Sequence, residues 1–117
     1  RRAIAGDDTA PHPSKTKHVE FERAANGCWL PHAIPLYAAA FMKAGAFDQR
    51  FENFMSLNGP AWWGFPPPDE SNVISIYRNT EADMPEPVEI PGEDDVVIPL
   101  GWAPEAHRLH VGLAMAA

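Results

Sequence analysis

Hydrophobic and polar positions alternate with different periods in the two halves of the chain. Residues 32 to 44 carry Ala33, Ile34, Tyr37, Ala40, Phe41 and Ala44 at three- and four-residue spacing, which predicts a helix. Pro35 would cost about 3 kcal/mol in a helix interior. It is tolerated if the helix begins near Pro31 or His32, because its missing N–H then falls among the unpaired donors of the first turn. Gly45 supplies the stop, and the small Ala38, Ala39 and Ala40 suit close packing on a sheet. A second helix over 47 to 57 puts Phe47, Phe51, Phe54 and Met55 on one face, with Asp48 in the first turn and Asn58-Gly59-Pro60 as the terminator. Trp62 and Trp63 then fall in a turn bounded by Gly and Pro, where they anchor it against the domain or stack a ligand ring.

Beyond residue 68 the pattern becomes extended. Val73-Ile74-Ser75-Ile76-Tyr77 and Asp95-Val96-Val97-Ile98-Pro99-Leu100 read as short strands, and Leu109, Val111 and Leu113 alternate in a third. Eight of the 13 prolines follow residue 60, which favours loops and edge strands there. The acidic connection from Glu81 to Asp94 reads as solvated. His107 and His110 are three apart, so in a strand their rings diverge and make a poor metal pair. Residues 13 to 28 show no period; Lys15 and Lys17 there suit a solvated face, or the orientation of an anionic substrate.

The start of the chain has a different character. The apolar run Ala3-Ile4-Ala5 stops at Gly6-Asp7-Asp8-Thr9-Ala10-Pro11-His12, as a buried strand does when it delivers polar groups to a loop. In α/β folds catalytic residues collect at such an edge. Asp8 could there be a metal ligand or general base, and His12 a donor to an anion; the competing reading is a turn stiffened by Pro11.

Composition narrows these readings. One domain fits in 117 residues. Nine basic against 16 acidic residues give −7, which excludes a basic nucleic-acid surface. No apolar run approaches the roughly 20 residues of a membrane span. The single Cys28 forbids an internal disulfide and reads as a small buried thiol. Arg1 in place of an initiator Met reads as a start after a cleavage or partway along a longer protein.

Gly6-Asp7-Asp8-Thr9-Ala10-Pro11-His12 resembles the Gly-(Ser/Thr)-Asp-Ser-Ala-Pro-His signature of dihydroorotases, members of the amidohydrolase superfamily. Ala25-Asn26-Gly27-Cys28-Trp29 resembles the loop that follows it, and the segment from Phe51 to Pro66 resembles the family's Phe-Glu-x-Phe-x-Ser-x-Asn-Gly-Pro-x-Phe-Tyr-Gly-Leu-Pro. The three blocks occur in the family's order. The sequence departs from the pattern at Asp7, where the family has Ser or Thr, at Asn26, which replaces Ala, and in a longer spacing from His12 to Gly27.

The resemblance implies an α/β fold: residues 1–57 as the last strand, substrate loop and C-terminal helices of a (β/α)₈ TIM-like barrel, and 58–117 as a proline-rich β extension packing on it. It implies the interconversion of N-carbamoyl-aspartate and dihydroorotate in pyrimidine biosynthesis, with one or two zinc ions. Asp8 takes the part of the proton-shuttling acid that touches the metal. His12 takes that of the residue holding the substrate carboxylate, and Asn26 and Gly27 line the pocket through their backbone. A barrel needs about 250 residues, and no segment here matches the His-x-His pair, the bridging Lys or the other metal histidines. The expected partner is therefore an N-terminal barrel portion, and the chain alone is expected to be inactive. The alternative is a dihydroorotase-like remnant serving as a structural subunit of a larger assembly. The resemblance implies a cytoplasmic setting; the residues leave an organelle open.

Overall fold

The computed structural model describes residues 3–7, 9–17, 29–69, 71–82, 85–100 and 105–113. Its elements are α1 (Ser14–Lys17), α2 (Ala33–Lys43), α3 (Gln49–Glu52), a π-helical turn (Asn53–Leu57), α4 (Asn58–Trp63), β1 (Ile74–Arg78), β2 (Val88–Glu89), β3 (Val96–Val97), a 3₁₀ turn (Ala106–Arg108) and β4 (Leu109–Leu113). Among the described residues these make a small mixed helix and strand arrangement with two two-stranded antiparallel sheets.

Helix α2 forms where the apolar spacing predicts it. Pro35 is its third residue, so the absent N–H falls in the first turn. At the far end Gly45 takes φ +63°. Its N–H donates to the Met42 carbonyl at 3.1 Å and that of Ala46 to Phe41 at 2.8 Å, a Schellman closure. Ala38 is fully buried, and α2 packs on the 3₁₀ turn and β4, where Ala106 and Leu109 are buried with it.

The next helix begins at Asp48, whose carboxylate caps the Arg50 N–H at 2.9 Å and pairs with the Arg50 guanidinium at 2.7 Å. These hydrogen bonds from Arg50 hold the Asp48 carboxyl down at about 2. The aromatic stripe closes on α2: Phe54 meets Tyr37 and Phe41, each at 5.2 Å, and Phe51 meets Phe41 at 5.3 Å.

The helix does not stop at Asn58-Gly59-Pro60 as its residues predict. It widens into the π turn and continues through α4 to Gly64, whose φ of +71° ends it. Pro60 falls in the first turn of α4, where a missing donor costs least. Trp62 and Trp63 are therefore helical, and they anchor nothing among the described residues: they are 75% and 65% exposed, beside Phe65 at 66%.

Residues 3–7 pair with no strand among the described residues, and Ile4 is 40% exposed. A parallel strand needs neighbours on its edges, and the only strands described here pair with one another. The segment instead lies along the helical hairpin. Ala5 N–H donates to the Phe54 carbonyl at 3.0 Å, and Asn58 Nδ2 donates to the Ala3 carbonyl at 2.8 Å. The Tyr37 hydroxyl donates to the Asp7 carboxylate at 3.4 Å. Burial, and then the negative Asp7, push the Tyr37 hydroxyl above its ordinary pKa.

In the second half, β1 pairs with β4 in the register Ile74↔Leu113, Ile76↔Val111 and Arg78↔Leu109. Strand β2 pairs with β3 through Val88↔Val97 and Glu89↔Val96. The connection read as solvated thus contains a strand of its own.

Candidate functional site

The site forms where the segment after residue 9 meets the edge of β3. His12 stands between Pro11 and Pro13, and its N–H closes a tight turn on the Ala10 carbonyl at 3.0 Å. Pro13 bridges to Val97, and its carbonyl accepts from the N–H groups of Thr16 and Lys17 at 3.0 and 3.1 Å, which starts α1. So the first part of the stretch read as an aperiodic loop is a helical turn. Trp29 bridges to Pro99, and its carbonyl accepts from Leu100 N–H at 3.0 Å.

Between these strands of chain lies a cleft of about 130 Å³. His12, Ser14 and Lys17 line one side; Trp29 and the run Ile98–Leu100 line the other. His12 is exposed and Lys17 half-buried. Among the described residues that line it none is an acid.

Asp95 clamps the polar side of the cleft. Its carboxylate accepts from the Ser14 hydroxyl at 2.6 Å, from Lys15 N–H at 3.1 Å and from the Val96 N–H at 2.9 Å. The Ser14 hydroxyl, then the backbone N–H groups of Val96 and Lys15, hold the Asp95 carboxyl below its ordinary range. Lys15 turns away toward Asp94, donating to its carbonyl and pairing with its carboxylate at 3.8 Å. Replacing Asp95 by Ala should free α1 from β3. The check is amide exchange at Lys15, which should accelerate by about tenfold, the equivalent of one lost hydrogen bond to a charged acceptor. An unchanged rate would remove the clamp from the account.

Of the residues the resemblance assigns, only His12 falls among those described; Asp8, Asn26 and Gly27 lie outside them, as does Cys28. Sequence reasoning missed the Asp95 clamp. Ser14 and Asp95 are 81 positions apart, a pairing that no local spacing announces.

The remaining described histidines lie elsewhere. His107 is 1% exposed with its ring edge-on to His32 at 5.9 Å, while His110 stacks on Tyr77 at 5.6 Å. His107 belongs to the 3₁₀ turn rather than to a strand. Among the described residues no three His, Cys, Asp or Glu side chains come together to hold a metal ion.

Comparison with family models finds no match. Comparison with curated proteins finds many. The chain is 39% identical over 111 residues to a dihydroorotase of Halorhodospira halophila, an alignment covering 93% of this chain and 30% of that protein. It is 37% identical over 107 residues to the dihydroorotase of Ruegeria pomeroyi, covering 86% and 29%. To that of Aromatoleum aromaticum it is 42% identical over 101 residues, covering 81% and 26%. The chain thus spans about 30% of the length of the relatives it matches. Sequence relatedness of this extent makes the chain a member of the dihydroorotase family, corresponding to a C-terminal portion of such a protein.

Proposed function

We propose that the chain is the C-terminal part of a cyclic amidohydrolase that interconverts N-carbamoyl-aspartate and dihydroorotate. The observation that supports this reading best is the 39% identity to a dihydroorotase over 93% of the chain. Residues 1–57 then supply the last strand, loop and helices of a (β/α)₈ barrel, and residues 58–117 an extension packed on it. Hydrolysis of the ring adds water to the amide carbon, breaks the C–N bond and delivers a proton to the leaving nitrogen. Asp8 accepts the proton of the attacking water and returns it to that nitrogen. His12 donates to the substrate carboxylate at the cleft, and the backbone at Asn26 and Gly27 closes the pocket over the ring. Asp7 takes no part, because its carboxylate is occupied by Tyr37.

Zinc enters this reading through the family resemblance alone. The described residues do not make up a metal site, so Asp8 would be one ligand and the others would come from outside the chain.

The experiment is the kinetics of His12→Ala in an active enzyme that contains this segment. Loss of a hydrogen bond to a charged group, worth about 1.5–3 kcal/mol, should raise KM for dihydroorotate by about 10- to 150-fold with a smaller change in kcat. An unchanged KM would contradict the role of His12. The second reading, a structural subunit, draws on the exposed Trp62, Trp63 and Phe65. It expects no turnover from any complex of the chain.

A further inference from the structure

We propose that Asn58 is a positioning residue for Asp8: together with the Phe54 carbonyl it grips the segment that leads into that acid. The proposal rests on the reading of Asp8 above and adds a residue that the sequence presents only as part of a helix terminator. Its first support is the spacing of the contacts. The Ala3 carbonyl accepts from Asn58 Nδ2 at 2.8 Å, and the Ala5 N–H donates to the Phe54 carbonyl at 3.0 Å. The Asp7 carboxylate accepts from the Tyr37 hydroxyl at 3.4 Å. Every second residue from Ala3 to Asp7 is thus tied to the helical hairpin, and Asp8 comes next in the chain.

The second support is the helix distortion that makes the grip. The Asn58 N–H donates to the Asn53 carbonyl, five residues back, where an α-helix would use that of Phe54. The Phe54 carbonyl takes the Ala5 N–H instead, while the Phe54 ring stays packed against Tyr37 and Phe41, each at 5.2 Å. Single π turns inside helices recur at functional sites. A carbonyl oxygen only accepts, so the Asn58 amide must present its nitrogen to Ala3, and a carboxylate in its place would repel the segment. A general base works only within hydrogen-bond reach of its proton, and a displacement of about 1 Å can cost roughly 10²-fold in rate.

The test is a double-mutant cycle in an active enzyme containing this segment. Asn58→Asp keeps the size of the side chain, suits the first turn of a helix, and removes the donor. It should lower kcat for dihydroorotate by about 10- to 100-fold with little change in KM. Asn53→Asp, on the same turn, should behave as the parent. In an Asp8→Asn background Asn58→Asp should cost nothing further, because the group it positions is gone, whereas a merely structural role would cost the same factor in both backgrounds. Amide exchange at Ala5 should accelerate in Asn58→Asp and not in Asn53→Asp. The proposal is overturned if Asn58→Asp leaves kcat unchanged, if its cost is equal in the two backgrounds, or if exchange at Ala5 does not move. Asp8→Asn by itself separates the two readings. If it lowers kcat while Asn58→Asp does not, only the role of Asn58 fails. If it leaves kcat unchanged, the proposed role of Asp8 and this inference fall together.

Discussion

Asp8→Asn should reduce kcat of the active enzyme by about 10²–10⁴, the span general acid–base catalysis contributes, while Asp7→Ser should cost no more than a few-fold. The two acids are adjacent, and the strand that the sequence predicts here would turn them to opposite faces. Asp7 already has a partner: the Tyr37 hydroxyl meets its carboxylate on the α2 side. Asparagine keeps the size of Asp8 and removes its capacity to hold a proton, so the loss should appear in kcat and not in KM. Tyr37 offers an independent check on the sorting. Its hydroxyl is raised by burial and by Asp7, so Asp7→Ser should move it back toward 10 and Asp8→Asn should leave it in place. A larger kcat loss from Asp7→Ser than from Asp8→Asn would refute the assignment.

The second large effect concerns the chain by itself. It exposes 8945 Å², whereas a folded monomer of 12.9 kDa should expose about 6,300 Å². The only buried apolar side chains among the described residues are two alanines and a leucine, with Pro35 and Pro99 beside them. Meanwhile Phe47, Trp62, Trp63, Phe65, Val73 and Ile74 are all at least 40% exposed. Covering one such side chain is worth about 1.5–3 kcal/mol, so these faces favour association strongly. The isolated chain should therefore aggregate or melt without a cooperative transition. Mixed with an N-terminal barrel portion, it should gain one sharp transition in calorimetry and sediment as a complex. A monodisperse 117-residue monomer with its own cooperative transition would contradict this.

Which parts of the molecule were legible follows from the range of the forces involved. Helix α2 was, because apolar spacing, Pro35 near its start and Gly45 at its end are local signals that agree. The contacts of Phe51 and Phe54 with α2 followed from a stripe at helical spacing, and β4 from alternation. The extension of the helix to Trp63 was not legible. Asn58-Gly59-Pro60 is a strong breaker locally, and only the widened turn before it carries the backbone through. The first strand is not formed: residues 3–7 pair with no strand among the described residues and bond instead to Phe54 and Asn58 of the helical hairpin. The candidate site divides in the same way. His12 lies in the stretch that its motif singles out, whereas the course of Lys15 depends on Asp94 and Asp95, some 80 positions away.

The central claim is that this chain completes a dihydroorotase. Its most direct test is reconstitution: the purified chain is mixed with the N-terminal portion of the Halorhodospira halophila relative, with zinc supplied, and hydrolysis of dihydroorotate is followed. The account predicts no turnover from either piece, turnover from the mixture, and none when the chain carries Asp8→Asn. A stable complex with no turnover would assign the chain to the structural reading, and turnover by the chain unaided would contradict the account outright.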